Sequence, residues 1–462
     1  MKTTAYGGLS RDLCAAATRL RYEDLPAEVV ERLKLFLIDT LGVIRAATDA
    51  PGIAPLNLRL QKWESAGVAT ILLSGQGVSP PSAALANGAA AHALDFDDQH
   101  DPARVHTNCV VVPTLLATAQ DMGAVDGKFF LLAMAIGAEL HARLGLACSN
   151  SLGWGWHPTM VHGTLAAAVA AGRLLGLPAS GLEHALGMGF HQASGSAQSM
   201  RDGVLSKRLG AGFAARAAVL GAFLAADGLS GTRQTLEGSA GLITLYERGT
   251  FNLDALMGGL GKEWRILDYS LKPYPCCRAT HSVIGLGLQV REQGIRPDEI
   301  ASIEIGLGEY NWIAVGSSYD SAREEVVHAQ FNACYAFACA LRDGKIDFDT
   351  FTRAARSNPA TVAITAVSTC ISDPRISPEA IYPAHLRLVL KNGAVYELYT
   401  DTMKGSPADP MSRAEVMEKF VACTRAGLHG KADKDGAALV AAIDTLEYNN
   451  NVARTLTDAF PR

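Results

Sequence analysis

Residues 95–106 place four carboxylates, two imidazoles and one guanidinium within twelve positions. Carboxylates at this density bind hard cations, balance the charge of neighbouring basic groups, or simply lie on a solvated helix end. His100 and His106 stand beside the acids and favour a chemical role, because an imidazole titrates near pH ~6.5 and exchanges protons at neutral pH. The segment is therefore the first candidate for an active site.

A metal site is one alternative for this segment. Asp97, Asp98 and Asp101 match the DDxxD motif, the magnesium–diphosphate motif of helical isoprenoid synthases, and carboxylates at this spacing can share a helix face. Such enzymes carry a second acidic motif later in the chain, and we find none. A magnesium-dependent isoprenoid synthase therefore stays a remote alternative.

Three further segments hold candidate groups. His157 stands between Trp156 and a proline, although a lone histidine is more often a packed or capping residue. Residues 201–208 present the cations Arg201, Lys207 and Arg208 ahead of a small-residue helix, or form a plain surface loop. In residues 271–281, Lys272 is followed by two prolines, two cysteines, an arginine and a histidine. This segment lies where a helical composition gives way to an α+β composition. A domain junction is a common place for a ligand cleft.

Composition and missing motifs exclude several classes of protein. Lys and Arg number 41 against 46 Asp and Glu, which argues against a nucleic-acid or anionic-membrane binder. Nine cysteines without a CxxC pair indicate reduced thiols, and no secretory or transmembrane segment is predicted, so we expect a cytoplasmic protein. Nucleotide, zinc-protease and serine-hydrolase motifs are absent.

The elements that must position these groups are mostly helical. Residues 1–265 show helical periodicity, and Gly210, Ala214, Ala218 and Ala222 form a small-residue stripe that favours close helix packing. Residues 266–404 are typical of an α+β unit, with a strand at 303–307 and a hairpin at Asn392-Gly393, for which we predict a type I′ turn. Helix returns after a Ser412 capping box. We expect a mostly α fold: an all-helical domain from residues 1–265 together with 405–462, and an α+β lid domain over 266–404.

Short stretches in this order resemble the MmgE/PrpD family, which includes 2-methylcitrate dehydratase, cis-aconitate decarboxylase and iminodisuccinate epimerase. The matching stretches are residues 92–98 with His106, His157-Pro158 with Gly163-Thr164, Lys207 ahead of residues 212–215, residues 272–275 and residues 405–412. The resemblance implies a helical domain from both chain ends, a smaller lid, a site between them, a homodimer, and catalysis without metal or organic cofactor.

The resemblance also implies the site residues and a di- or tricarboxylate substrate. The catalytic positions carried over are Asp95, His106, His157, Lys207 and Lys272. The expected substrate-binding positions are Gln99, Arg104, Arg201, Cys277, Arg278 and Tyr319. Cations bind carboxylates and stabilise an enediolate, while the histidines supply base and acid. Asp97, Asp98 and Asp101 are expected to brace the loop.

The main hypothesis is a 2-methylcitrate dehydratase-like hydro-lyase that abstracts a proton next to a carboxylate. An epimerase of an imino- or amino-dicarboxylate, a decarboxylase of cis-aconitate type and a catalytically silent binding protein are the alternatives. Two departures from the family bear on this choice: Gln99 replaces a frequent threonine, and one extra residue precedes His106, so Arg104 can enter the site. Cys277 stands where the decarboxylase branch has histidine. We expect Lys207→Ala and His157→Ala to abolish turnover and leave the thermal melt nearly unchanged.

Overall fold

The computed structural model describes residues 7–64, 66–151, 153–429 and 435–461. These residues form a mostly α fold, as predicted, with 21 α-helices and eight short strands. The helices are α1 (Leu9–Arg19), α2 (Ala27–Ala46), α3 (Ile53–Trp63), α4 (Pro80–His92), α5 (Asn108–Met122), α6 (Gly127–Ala147), α7 (Pro158–Leu174), α8 (Ala179–Phe190), α9 (Gln198–Asp202), α10 (Ser206–Ala226), α11 (Leu242–Leu245), α12 (Leu253–Met257), α13 (His281–Glu292), α14 (Glu309–Val315), α15 (Val326–Gln330), α16 (Ala333–Asp343), α17 (Arg353–Arg356), α18 (Pro359–Ala366), α19 (Arg413–Gly427), α20 (Asp435–Asp444) and α21 (Val452–Ala459). The strands are β1 (Ala69–Ile71), β2 (Gln76–Val78), β3 (Gln99–His100), β4 (Tyr269–Ser270), β5 (Ile300–Leu307), β6 (Ser368–Ser372), β7 (Ala384–Leu390) and β8 (Val395–Thr400).

The described chain divides into two compact units. The first, called the helical unit here, takes the residues up to Ser199, then Leu205–Leu271, and those from Ser412 onward. The second, the mixed unit, takes Met200–Val204 and Lys272–Met411. Its two main boundaries lie a few residues later than the expected 266 and 404, because β4 pairs with β3 and so holds the chain in the helical unit as far as Leu271.

Small residues bring the central helices of the helical unit into backbone contact. A Cβ on Gly212 of α10 would lie 2.3 Å from the Leu85 carbonyl oxygen of α4, and one on Gly88 of α4 would lie 2.9 Å from the Gly212 Cα. Gly210 of the predicted stripe faces Met160 of α7, where a Cβ would lie 2.6 Å from the sulfur. Because only glycine permits these approaches, the sequence of α10 determines how closely it packs on α4 and α7.

The two ends of the chain meet in the helical unit. Lys419 of α19 forms an ion pair of 2.6 Å with Asp39 of α2, and both side chains are almost fully buried. Arg45 at the end of α2 donates to the Gly427 carbonyl at 2.9 Å. The predicted capping box is confirmed: the Ser412 hydroxyl accepts from the Glu415 amide, and the Glu415 carboxylate accepts from the Ser412 amide.

The expectation of an all-helical domain is wrong in two places. β1 and β2 form a short antiparallel hairpin, and β3 pairs antiparallel with β4. The second pairing joins segments that are distant in the sequence, so no local periodicity could indicate it. It fixes residues 99–100, in the middle of the acidic segment, against residues 269–270.

The mixed unit is built on a four-stranded sheet in the order β6-β5-β7-β8, in which only the β5–β6 pair is parallel. The predicted strand at 303–307 is confirmed within β5, and Ile303, Ile305 and Leu307 are buried against the sheet's own hydrophobic cluster. β7 and β8 form the predicted hairpin.

The turn of that hairpin differs from the predicted type I′. Gly393 has φ 87°, but Asn392 is not among the described non-glycine residues with positive φ. The Gly393 amide donates to the Leu390 carbonyl, and the Leu390 amide donates to the Ala394 carbonyl. A three-residue loop with a left-handed glycine therefore closes the hairpin. The Asn392 side chain accepts from the Ala394 amide, which stabilises this geometry.

Two helices, α6 and α10, are long and apolar enough to cross a membrane by length and composition alone. In α6, 89% of the apolar window is buried within the protein, and in α10 the share is 61%. Buried core helices pass the same test. α6 also carries a fully buried ion pair of 2.6 Å between Arg143 and Glu139.

Candidate active site

Asp95 and Lys207 form a buried ion pair at the centre of the helical unit. Asp95 lies in the loop after α4 and has a left-handed φ of 51°, which is strained for a residue other than glycine. Lys207 lies in the first turn of α10, and its Nζ donates to Asp95 Oδ1. Both side chains are 2% exposed. The close approach of α4 and α10 therefore positions the first two predicted catalytic residues.

Asp97 connects two histidines. His92, the last residue of α4, places Nδ1 at 2.7 Å from Asp97 Oδ2, and His106 Nδ1 lies 3.3 Å from the same oxygen. The two imidazole rings meet edge to face with centroids 4.9 Å apart. His106 keeps 13% of its side chain exposed, whereas Asp97 is completely buried. One carboxylate thus orients a pair of imidazoles, of which only His106 retains access to solvent.

His157 completes the cluster from a third element. It is the N-cap residue of α7, and its amide donates to the Gly195 carbonyl at 2.9 Å. Its ring lies 6.3 Å from the His92 ring, nearly perpendicular to it. Among the described residues, its Nδ1 has no hydrogen-bond partner although the side chain is buried. Pro158 begins α7 because a proline suits the first helical position, and this sets where His157 stands.

The pKa values in this cluster diverge because its charges are buried together. Burial works against ionisation of Asp97, but His92 and His106 hold its pKa well below the usual 3.8. Burial and the neighbouring Asp97 raise the pKa of Asp98 to about 8. Burial, His92 and Lys207 lower the pKa of His157 well below 6.5, so its ring is uncharged at neutral pH. Adjacent groups with separated pKa values are typical of acid–base sites.

Three contacts brace the loop that carries Asp95. Asp98 accepts from the Asn108 amide at 3.2 Å, and Asp101 accepts from the Ser270 hydroxyl at 2.5 Å. Lys419 donates to the Phe96 carbonyl at 2.7 Å. The bracing role predicted for Asp98 and Asp101 is confirmed. The bracing role predicted for Asp97 does not account for its contacts, because the Asp97 carboxylate contacts His92 and His106 directly.

Two predicted substrate-binding residues lie in the same segment. Gln99 is buried in β3, where it pairs with Ser270. Arg104 has φ 54° and is half-buried in a turn that His100 and Val105 close by a bridge. The extra residue noted in the sequence is thus accommodated in a tight turn with a left-handed arginine. Binding of substrate by either side chain stays a prediction.

The other predicted residues belong to the mixed unit. Lys272 is its first residue after the boundary and is fully buried. Arg278 is 2% exposed, donates to the Lys404 carbonyl at 2.7 Å, and lies 3.1 Å from His281 Nδ1. The Cys277 thiol is half-buried, and the backbone amide of this residue donates to the Gln330 carbonyl.

Tyr319 and Arg201 complete the predicted set. The Tyr319 hydroxyl donates to the Arg356 carbonyl at 2.8 Å, its ring stacks on Tyr335, and burial raises its pKa to about 12. Arg201 is exposed in α9. Binding of substrate by Tyr319 or Arg201 stays a prediction.

The cluster also contains a set of groups that could hold a cation. His92, Asp97 and His106 each offer one ligand atom, and these atoms lie within 4.8 Å of one another. In the structure they already hydrogen-bond to each other. All nine cysteines are free thiols, as predicted, and none of them belongs to this set.

The sequence does not predict every residue of this cluster. His92 is not among the predicted site residues, and Asp97 is predicted only to brace the loop, although a histidine at a helix end shortly before an aspartate was the available signal. Lys419 and Asp39 carried no signal, because their contact joins segments nearly 400 positions apart.

Comparison with known proteins gives a consistent result. The family model of the MmgE/PrpD N-terminal domain matches residues 11–254, and that of the C-terminal domain matches residues 274–445. A cis-aconitate decarboxylase-like protein of Aspergillus oryzae is 29% identical over 90% of this chain and 91% of its own length. A cis-aconitate decarboxylase of Aspergillus terreus is 30% identical over 61% of this chain and 60% of its own, and one of Homo sapiens is 28% identical over 89% and 87%. Two domain models that together span most of the sequence show that the chain belongs to the MmgE/PrpD family.

Proposed function

We propose that the protein is a cofactor-independent lyase acting on a small polycarboxylate, with decarboxylation of an unsaturated tricarboxylate of the cis-aconitate type as its reaction. The observation that carries the proposal is the buried Lys207–Asp95 pair in the same unit as three clustered imidazoles, one of which, His157, is uncharged. The names of the relatives support this substrate class.

Lys207 is the group proposed to bind a substrate carboxylate. Its ammonium is withdrawn from water, and an electrostatic interaction is stronger in such surroundings than in solvent. Asp95 balances the charge when no substrate is bound. When negative charge develops on the carboxylate next to the reacting carbon, the same ammonium stabilises it.

The proton comes from His106 in this proposal, since its ring contacts the Asp97 carboxylate and is partly exposed. The proton adds to one alkene carbon, while the bond between the neighbouring methylene and its carboxylate breaks. The electrons of that bond form the new double bond, and carbon dioxide leaves. Water then returns a proton to His106, so atoms and charge balance without an oxidant or reductant.

Dehydration of a 2-methylcitrate-like hydroxy acid is the second candidate. Cys277, which stands where the decarboxylase branch has a histidine, favours it. Uncharged His157 would remove the proton next to a carboxylate, and His106 would protonate the leaving hydroxyl. Lys207 would bind the carboxylate as before, so the two reactions differ in which substrate carbon lies next to the histidines.

Proton NMR in D₂O separates these candidates. The protein is incubated in excess EDTA with cis-aconitate, with 2-methylcitrate and with an amino-dicarboxylate such as aspartate. Conversion of cis-aconitate with loss of one carboxylate supports the decarboxylase, and a new alkene signal from 2-methylcitrate supports the hydro-lyase. Exchange at the carbon next to a carboxylate without net conversion identifies an epimerase. No change in any substrate contradicts the proposal as a whole.

A matched pair of histidine variants tests the site. His157→Gln should lower turnover of the accepted substrate by at least about 100-fold, the usual contribution of a general acid or base. His191→Gln changes an exposed histidine of the same unit and should leave turnover unchanged. Full activity of His157→Gln would show that His157 takes no part in the reaction.

A further inference from the structure

A second cluster of ionisable groups lies in the helical unit and takes no part in the proposed reaction. Cys148 follows the end of α6, Ser151 lies in the next turn, His162 belongs to α7, and Glu247 follows α11. The four residues are at most 2% exposed. The hydrophobic cluster that contains Cys148 also contains Leu144, so polar groups meet here in otherwise apolar surroundings.

The side chains of this cluster converge on one point. Cys148, His162 and Glu247 each offer one ligand atom, and the three atoms lie within 4.8 Å of one another. The Ser151 hydroxyl donates to Glu247 Oε1 and lies 3.3 Å from His162 Nε2. Zinc–ligand distances are 2.0–2.3 Å in tetrahedral sites, so ligand atoms this close to one another can share one ion.

Two polar atoms of the cluster are left without partners. His162 Nδ1 and Glu247 Oε2 are buried and have no hydrogen bond within the described part of the chain. A buried carboxylate oxygen or ring nitrogen without a partner costs free energy, so such atoms call for an explanation. Both belong to residues of the converging set.

No arginine or lysine forms an ion pair with Glu247 among the described residues. The adjacent Arg248 has a left-handed φ of 52°, and its guanidinium lies 3.7 Å from the centre of the Trp154 ring instead. A carboxylate in apolar surroundings requires a balancing positive charge, or it stays protonated.

We propose that Cys148, His162 and Glu247 bind one Zn²⁺ ion, with Ser151 as the hydrogen-bonding partner that orients Glu247. A thiolate, a carboxylate and a neutral imidazole exactly cancel the charge of a divalent cation, which permits complete burial. Thiolate and imidazole ligands favour zinc over magnesium or calcium. The ion joins the end of α6 to α7 and to the segment after α11, and so has a structural role separate from the proposed reaction.

Ser151, His162 and Glu247 have the residue types of a catalytic triad, but their arrangement differs from one. In a triad the histidine lies between the serine and the carboxylate. Here the Ser151 hydroxyl donates directly to Glu247, and His162 Nδ1 has no partner among the described residues, so this set is not arranged to attack a carbonyl.

Metal analysis of the tag-free protein tests the proposal. Zinc is measured by mass spectrometry after expression in zinc-supplemented medium and gel filtration. About one zinc ion per chain is expected for the wild type, and a severalfold loss for Cys148→Ala. Cys14→Ala is the matched control, because Cys14 is a buried thiol of the same hydrophobic cluster, and it should keep the zinc.

Refolding the wild type in Co²⁺ gives a second readout that does not depend on the variant folding. A thiolate-to-cobalt charge-transfer band in the near ultraviolet is expected, because the other possible metal-binding set, His92, Asp97 and His106, contains no sulfur. Absence of both zinc and this band in the wild type overturns the proposal. So does full zinc content in Cys148→Ala, or loss of zinc in Asp97→Asn with retention in Cys148→Ala.

Discussion

At the scale of single residues, the candidate site is a group of buried ionisable side chains, most of which form ion pairs with one another. Lys207 is paired with Asp95, and Asp97 is paired with His92 and His106. Within the described part of the chain Asp98 forms no such ion pair, and burial and its charged neighbour Asp97 raise its pKa to about 8. The same pairing makes each of these groups sensitive to the loss of its partner.

The Lys207–Asp95 pair changes the expected outcome of substitution at Lys207. Lys207→Met should abolish turnover and also lower the melting temperature, because it breaks a buried ion pair by removing one partner, which costs about 3–5 kcal/mol in comparable pairs. Adding Asp95→Asn should recover most of the stability without recovering activity. Calorimetry and a turnover assay check both. An unchanged melt for Lys207→Met alone would show that the pair is not buried as described.

Asp98 gives the protein a defined pH dependence of stability. Its pKa rises from 3.8 in the unfolded chain to about 8 in the folded protein. Its contribution to stability is therefore fully present below pH 3.8 and is lost as the pH rises toward 8. Asp98→Asn, which mimics the protonated form, should remove this part of the decline between pH 4 and 8.

The measurement for Asp98 is the melting temperature of wild type and variant across that pH range. The variant should gain relative to the wild type as the pH rises, by several degrees at pH 8. Asp121→Asn, at an exposed carboxylate, is the control, and its melting temperature should change with pH in the same way as that of the wild type. A constant difference between Asp98→Asn and wild type would contradict the raised pKa.

At the scale of elements, the site depends on how closely α4 and α10 approach. α4 ends at His92 and leads into the Asp95 loop, while α10 begins just before Lys207. Gly88 and Gly212 remove the side chains that would keep the two helices apart. The spacing of these helices therefore sets the distance between the carboxylate and the ammonium.

Gly212→Ala should separate the two helices. The added Cβ would lie 2.3 Å from the Leu85 carbonyl oxygen, a backbone atom that cannot move alone. Overpacking of this kind costs about 1–3 kcal/mol, so we expect a lower melting temperature together with a loss of turnover. Gly285→Ala, in α13 with nothing within 4 Å of the added Cβ, should leave both unchanged. Equal behaviour of the two variants would contradict this role of Gly212.

At the scale of the whole molecule, residues from both ends of the chain form one unit. Lys419 of α19 holds Asp39 of α2 and the Phe96 carbonyl, so the C-terminal helices support the loop that carries Asp95. The mixed unit has its own sheet and its own hydrophobic cluster. Homodimer formation and a cytoplasmic location stay predictions.

Removal of the residues after Met411 should unfold the helical unit. The truncated protein loses the Lys419–Asp39 pair and the packing of α19 on α2, and we expect hydrogen exchange in α2 to lose its protection. Lys419→Met in the full chain should produce a smaller loss, confined to α2 and the Asp95 loop. Retention of wild-type protection in α2 by the truncated chain would show that the N-terminal helices fold without the tail.

The sequence by itself indicated the main elements, the family and most of the candidate site. Periodicity indicated helices over residues 1–265, a capping box at Ser412 marked a helix start, and alternation located β5. These features are local, since each depends on side chains within a few positions. The ordered motifs from residues 92 to 412 indicated Asp95, His106, His157 and Lys207 together, because a family resemblance carries information about contacts that periodicity does not.

Only the tertiary structure decided which groups form ion pairs or hydrogen bonds with one another and which are buried. The His92–Asp97–His106 contacts, the Lys419–Asp39 pair and the converging Cys148, His162 and Glu247 depend on the packing of separate helices. The pKa values of Asp98 and His157 move in opposite directions because burial penalises whichever form is charged, and burial is a property of the fold. The residue types were visible in the sequence, but their protonation states required the folded environment.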